Sequence, residues 1–269
     1  MSARRRILHI SDIHFGPKHL PEVSEGIAAL VEEERPDLVV LSGDLTLRAK
    51  PAQFREARAF VDRLRVAAPV LAVPGNHDVP LWRVWERLLS PFGAYRRWFQ
   101  ADLEPLFEDA ALFVAGVNTA QAFALKGGRI RRRRVRAIEE ALAPVPPDRF
   151  RIVVAHHHLA KPAGVDCEHA SWGAAAAVAR LAGAGVDLVL SGHLHQTLEL
   201  RPAGPDGFVA LHTGTSSSSR GRGAERGKNS VQWIEVGETD WGLRALLWNG
   251  TSGRFEPFLE RSYRRSRGR

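Results

Sequence analysis

The chain has 269 residues, enough for one large α/β core or two small domains, and its composition excludes a body that is disordered throughout. Lysine and arginine outnumber aspartate and glutamate by 38 to 30, a formal charge of +8 that favours phosphate-bearing partners. A single cysteine, Cys167, excludes an internal disulfide, and no apolar run approaches a signal-peptide core or a membrane span, so a cytoplasmic location is expected.

The first predicted element is the run Ile7 to Ile10, which breaks into polar residues and Gly16: a buried strand with a functional exit loop. Val23, Ile27, Leu30 and Val31 then recur at helical spacing ahead of Pro36. "DLVVLSGDLT" repeats the strand pattern, a second helix carries Phe54, Ala57, Val61 and Leu64 on one face, and "PVLAVPGNHD" closes the series. Such alternation of strand and helix predicts a parallel core.

From about 80 to 107 the sequence turns helical and aromatic-rich, with Trp82, Trp85, Phe92, Tyr95, Trp98 and Phe99. This insertion reads either as a helical hairpin packed on the sheet or as a substrate lid. "ALFVAGVNTA", "FRIVVAHHHL" and "VDLVLSGHLH" are further apolar runs that end in polar residues, with "APVPPD" as a rigid loop before the second of them. Beyond Thr197 come short strands without helices between them, which predicts antiparallel pairing. The polar stretch 215–230, "TSSSSRGRGAERGKNS", reads as a mobile loop, and the arginine runs at 4–6, 131–136 and 261–269 as solvated faces or frayed ends. One domain over 1–260 with a basic tail at 261–269 is the expected organisation.

Metal-capable side chains recur at five separate strand exits: Asp12 and His14; Asp44; Asn76 with His77 and Asp78; His156 to His158; and His193 with His195. In α/β folds the carboxyl ends of strands line one crevice, so these groups meet in space. Two aspartates, an amide oxygen and several imidazoles suit two adjacent coordination spheres for Mn²⁺, Fe or Zn²⁺, with one carboxylate bridging. Two ions about 3.5–4 Å apart bind phosphate oxygens and lower the pKa of a water held between them, as in-line phosphoryl displacement requires.

"D-x-H" (Asp12, His14), "G-D" (Asp44), "G-N-H-D" (Gly75 to Asp78), a strand-terminal histidine (His156) and "G-H-x-H" (Gly192 to His195) together resemble the calcineurin-like metallophosphoesterases. The resemblance implies a four-layer α/β/β/α sandwich of two mixed sheets flanked by helices. It also implies that Asp12, His14 and His195 hold one divalent ion, that Asn76, His156 and His193 hold a second, and that Asp44 bridges. His77 would stand near the leaving-group oxygen as an acid or donor, with Asp78 orienting its ring. The fourth block departs from the family: "AHHHLA" has His158 where proline is usual, which leaves His157 as a substitute for His156.

Chain length, the insertion, the "GVNTA" block and the late serine-rich loop are similar to the bacterial class III cyclic nucleotide phosphodiesterases and glycerophosphodiesterases. That similarity implies hydrolysis of a small phosphodiester, with Asn118, Arg220 and Arg222 as candidate substrate contacts. A nuclease is the rival reading, since "LWRVWERLLSPFGAYRRWF" interleaves arginines with aromatics in the manner of a nucleic-acid groove. A scaffold that has abandoned catalysis is the third, although such a chain would be expected to lose ligands. The aromatic segment 81–99 is a candidate homodimer surface.

Overall fold

The computed structural model describes residues 4–124, 126–165, 169–204 and 207–265; Cys167 lies outside them. Strands β1 (Arg5–Ile10), β2 (Leu38–Leu41) and β3 (Val70–Ala72) run parallel, joined by helices α1 (Pro21–Glu34) and α2 (Pro51–Arg65). The C-terminal strands β10 (Ser230–Val236), β11 (Asp240–Asn249) and β12 (Arg254–Arg264) add to β1 as an antiparallel meander, giving the order β12-β11-β10-β1-β2-β3. Strands β5 (Leu112–Val117), β6 (Phe150–Ala155), β7 (Leu188–Ser191) and β9 (Val209–His212) form a second parallel sheet. Antiparallel β4 (Leu106–Glu108) and β8 (Leu198–Leu200) close its two edges.

Alternation along each strand builds the layers. Ile7, Leu38 and Val40 of the first sheet point inward to Val114, Ile152 and Leu190 of the second. Their neighbours Leu8, Val39 and Leu41 point outward to Ile27 of α1 and to Phe54 and Val61 of α2. On the far side Val153 and Val189 pack beneath α5 (Arg132–Leu142) and α6 (Ala174–Gly183). Both faces of each central strand are therefore buried, which is why these strands read as unbroken apolar runs. A buried aliphatic side chain contributes about 1.5–3 kcal/mol and an exposed ion pair about 0–1. The sandwich is held by its three apolar layers and not by its many surface arginine–carboxylate pairs.

Three sequence expectations change. The insertion is two short helices, α3 (Val84–Leu89) and α4 (Gly93–Trp98), followed by β4, and they behave differently. Tyr95 and Phe99 of the α4 region are buried beside Phe54, with ring centroids 5.8 Å (Tyr95 to Phe54) and 5.1 Å (Tyr95 to Phe99) apart, whereas Trp82 and Trp85 stand exposed. The supposed tail is strand up to Arg264: Tyr263 stacks on Trp241 at 3.9 Å, and the Arg265 amide donates to the Thr239 carbonyl. Edge exposure and Pro257, seated where the register shifts between Ala245 and Leu246, hide this strand in the sequence. Finally, the start of the serine-rich loop is fixed and not mobile. Thr215 to Ser218 are buried, and the Thr215 and Ser218 hydroxyls donate to the Asp12 carbonyl.

Candidate metal centre

The carboxyl ends of β1, β2 and β3 continue side by side past the sheet: the amides of Asp12 and His14 donate to the carbonyls of Gly43 and Asp44, both at 3.0 Å. These exits then turn sharply. Among the described residues seven other than glycine have positive φ, and five of them are Asp12, His14, Asp44, His193 and His195. A left-handed residue with a Cβ costs roughly 1–2 kcal/mol, so concentrating five at one point stores strain where side chains must converge. Glycine makes the convergence sterically feasible: a Cβ on Gly43 would lie 2.6 Å from the His156 ring, and one on Gly192 would lie 1.9 Å from the Ser11 hydroxyl.

Four buried groups, Asp12, His14, Asp44 and His195, bring ligand atoms within 4.8 Å of one another. Asp12 Oδ2 accepts the His193 amide at 2.9 Å, while Oδ1 stands 3.5 Å from His14 Nε2 and 3.3 Å from His195 Nε2. His195 Nδ1 donates to the Arg220 carbonyl at 3.0 Å, which leaves Nε2 as the ligating nitrogen. Asp44 Oδ1 accepts the His77 amide at 2.8 Å. Its Oδ2 lies between the two halves of the centre, 3.8 Å from His14 Nε2 and 3.3 Å from His156 Nε2.

His156, His157 and His193 form a second set, their ligand atoms also within 4.8 Å of one another. His156 Nδ1 donates to the Ser42 carbonyl at 2.7 Å, and its Nε2 is 3.2 Å from Asn76 Oδ1. His156 thus stands between Asp44 and Asn76. His157 packs alongside, with Nδ1 bonded to the Thr119 hydroxyl at 2.8 Å.

The donor set fits divalent cations. Asp12 Oδ1, Asp44 Oδ2 and both ring nitrogens of His14 are buried without a hydrogen-bond partner. Orphaned polar atoms of this kind cost roughly 1–3 kcal/mol each, more when charged, unless a ligand satisfies them. Carboxylate and imidazole donors facing one another are the ligands of borderline metals such as Mn, Fe and Zn.

Electrostatics keep the ligands in their binding forms. Burial pushes the Asp12 carboxyl up, but the charge of His195, the proximity of the His14 ring and the charge of His156 outweigh it and hold Asp12 well below the carboxylate range. Asp44 is held down against burial by His156 and His77. Burial lowers His195 to about 3 and takes His193 and His157 well below the ordinary histidine value. His156 differs: burial lowers it, yet the charge of Asp44, 3.3 Å from its Nε2, carries it up to about 9.

His77 sits edge-on to His14 at 4.9 Å, and its Nδ1 donates to the Leu47 carbonyl at 2.9 Å. Asp78 does not orient that ring. Its carboxylate accepts the amides of Gly75, Leu45 and Thr46 and the Thr46 hydroxyl, so it staples the β2 and β3 exits together. Asn118 is likewise taken up locally, its Oδ1 accepting the Ala120 amide at 2.9 Å, and the neighbour that reaches the centre is Thr119. Arg220 is half-buried near the site: burial lowers its pKa, and the charges of Asp44 and Asp12 pull the other way. Arg222 is exposed. Sequence reasoning missed Thr119, and the only available signal was its place two residues beyond the end of β5.

The model of the calcineurin-like phosphoesterases matches residues 5–197, about three quarters of the chain, and takes in every one of these histidines and carboxylates. The chain belongs to that family. It is built on two mixed sheets with flanking helices. The chain is 28% identical over 247 residues to a cAMP/cGMP dual specificity phosphodiesterase, MT0825, of Mycobacterium tuberculosis, a match covering 84% of this chain and 73% of that protein. It is 38% identical over 82 residues to the glycerophosphodiester phosphodiesterase GpdQ of Enterobacter lignolyticus, a match covering 27% of this chain and only 29% of GpdQ. A purple acid phosphatase from yellow lupin superposes over 97% of this chain and 54% of its own length, with a TM-score of 0.74 at 12% identity, a likeness of fold. Among the described residues no helix is long and apolar enough to cross a membrane.

Proposed function

We propose that the centre hydrolyses a small phosphodiester such as a cyclic nucleotide, with two divalent ions of the Mn, Fe or Zn type. Asp12, His14 and His195 would hold one, Asn76, His156 and His193 the other, and Asp44 would be shared. The observation that carries this reading is the Asp44 Oδ2 atom, buried without a partner between His14 Nε2 and His156 Nε2. Bound there, such ions supply Lewis acidity toward phosphate oxygens and make water a nucleophile near neutral pH.

The chain's own residues complete the chemistry. The His77 amide is held by Asp44 and its Nδ1–H by the Leu47 carbonyl, so Nε2 would donate to the departing alkoxide from the protonated ring, a form that burial disfavours and the Asp44 charge favours. A diester has one negative charge, and the Arg220 guanidinium beside Asp12 and Asp44 is the cation suited to meet it. The preference for diesters over monoesters is supported by the two relatives named as phosphodiesterases. A catalytically dead scaffold is disfavoured by the intact ligand set.

The test is hydrolysis of bis(p-nitrophenyl) phosphate beside p-nitrophenyl phosphate by Mn²⁺-supplemented protein, followed by cyclic AMP and single-stranded DNA, with metal content measured on the same preparation. Preference for the aryl diester and cyclic AMP is expected. DNA cleavage without cyclic nucleotide turnover would replace this reading with the nuclease.

A further inference from the structure

Large apolar side chains stand in water on the segments that leave the strand exits of this centre. Trp82 and Trp85 are 76% exposed, Leu89 is 81%, Phe123 is 86% and Trp172 is 68%. Scattered exposed hydrophobics need no explanation, but these are linked. Trp82, Trp85 and Leu89 lie on and beside α3, which follows the His77–Asp78 turn. The buried Arg87 side chain clamps α3 to the next segment, donating to the carbonyls of Pro80 at 2.9 Å and of Ala124, the neighbour of Phe123, at 2.7 Å. Trp172 is fixed by main-chain bonds to Gly128 and Ile130, and the adjacent Ser171 amide donates to the His158 carbonyl at 3.1 Å. All three segments therefore leave from the exits of β3, β5 and β6, the strands that carry the site.

The same rim is strongly basic. From Ala110 to Ile138 the sequence has no aspartate or glutamate, and seven cations fall between Lys126 and Arg136. Arg134 and Arg136 pair with Glu104 and Glu140. Arg129, Arg131, Arg132 and Arg133 are exposed and have no acidic partner among the described residues.

We propose that this rim docks the chain on an anionic lipid bilayer surface and presents the metal centre to it. Indole rings prefer the level of the headgroups, aliphatic side chains enter the hydrocarbon boundary, and unpaired arginines are attracted to anionic lipids. Single-stranded nucleic acid would use the aromatic faces and the arginines but not the aliphatic side chains: Val84 and Leu88 of α3 are also exposed, at 56% and 44%. A second copy of the chain would bring the same unpaired arginines together, a like-charge contact.

The test is co-sedimentation of the metal-free full chain with phosphatidylcholine vesicles, with and without phosphatidylglycerol, alongside tryptophan emission. Binding that requires phosphatidylglycerol, with a blue shift, is expected. Arg131→Gln, Arg132→Gln and Arg133→Gln should each weaken it about five-fold. Trp82→Ser with Trp85→Ser should weaken vesicle binding and reduce the blue shift to what Trp172 supplies, and leave hydrolysis of soluble bis(p-nitrophenyl) phosphate unchanged. The proposal is overturned if anionic vesicles are not bound, if the tryptophan variant binds them equally, if single-stranded DNA quenches the same tryptophans and displaces the vesicles, or if light scattering shows a dimer that the tryptophan substitutions dissolve. Vesicle binding without metal involves no turnover, so failure here leaves the phosphodiesterase reading untouched.

Discussion

The two sheets contribute different chemistry to one centre. The exits of β1, β2 and β3 carry its carboxylates and its amide oxygen, Asp12, Asp44 and Asn76, together with His14 and His77; those of β6 and β7 carry histidines alone, His156 to His158, His193 and His195, and no carboxylate. The strands that end there are nevertheless alike: "DLVVLSG" at 37–43 leads to Asp44, and "DLVLSG" at 187–192 leads to His193. In both, the leading aspartate accepts the amide of the first residues of the neighbouring strand, Arg6 to Asp37 and Arg151 to Asp187, each at 2.8 Å. The same local structure therefore delivers an anion from one sheet and an imidazole from the other. Under the proposed two-ion reading neither sheet alone closes a coordination sphere, so the centre would depend on the apolar layer that registers the sheets against each other.

The largest break in that comparison comes at the residue both halves share. Under the proposed two-ion reading, Asp44→Ala removes both ions and all activity, which elemental analysis and a diester assay check together. A protein that keeps one tightly bound ion would show that Asp44 serves only one half. His77 belongs to the first sheet but, on the same reading, completes neither sphere, which His77→Ala tests. Metal content should stay intact while turnover falls about 10²- to 10⁴-fold. Equal metal loss in the two variants would make His77 a ligand.

Gly43→Ala tests the contact between the sheets. At φ +100° and 2.6 Å from the His156 ring, a methyl group strains the turn and must displace that ring or its backbone. Affinity for the second ion should fall about 10- to 100-fold, with the first retained and circular dichroism unchanged, as measured by competition with a chelating dye. The two halves also respond differently to protons. Loading of the Asp12 and His195 half displaces no proton from either group near neutral pH, because His195 lies at about 3 and Asp12 is held low. The other half must displace a proton from His156, which Asp44 carries up to about 9. Apparent affinity for the second ion should therefore rise by up to about ten-fold per pH unit from 6 toward 9. Calorimetric titrations that show equal slopes for both ions would contradict the assignment.

Legibility in the sequence followed the same division. The convergence of Asp12, His14, Asp44, Asn76, His156, His193 and His195 on one place was legible because each follows an apolar run within a few residues, and strand exits of α/β sheets converge. Roles that depend on hydrogen bonds across the fold were not. Asp78 is committed to three amides of two different loops, and Asn118 to its own turn, facts that no spacing encodes. Composition misled twice, at Thr215 to Ser218 and at β12. In the first, serine hydroxyls found buried carbonyl acceptors; in the second, the strand pairs along an exposed edge where charged side chains are tolerated.

The smallest predicted effect separates the sheets at their opposite ends. Asp187 starts the β7 run, and burial pushes its carboxyl up to about 6, against the pull of the Arg151 amide and of Arg265 and Arg151. A carboxyl that titrates higher in the folded chain than its ordinary 3.8 binds its proton more tightly when folded. Its contribution is therefore greatest at low pH and is lost as pH rises through about 4 to 6, so the ionised form is a net cost at neutral pH. Asp187→Asn keeps an oxygen for the Arg151 amide and removes the charge. It should raise stability at pH 7 by about 1–3 kcal/mol, or about 2–4 °C in Tm per kcal/mol for a domain of this size. Scanning calorimetry at pH 4 and pH 7 checks it, because the advantage should disappear at the lower pH. An equal advantage at both pH values would assign the gain to packing or hydrogen bonding and not to charge.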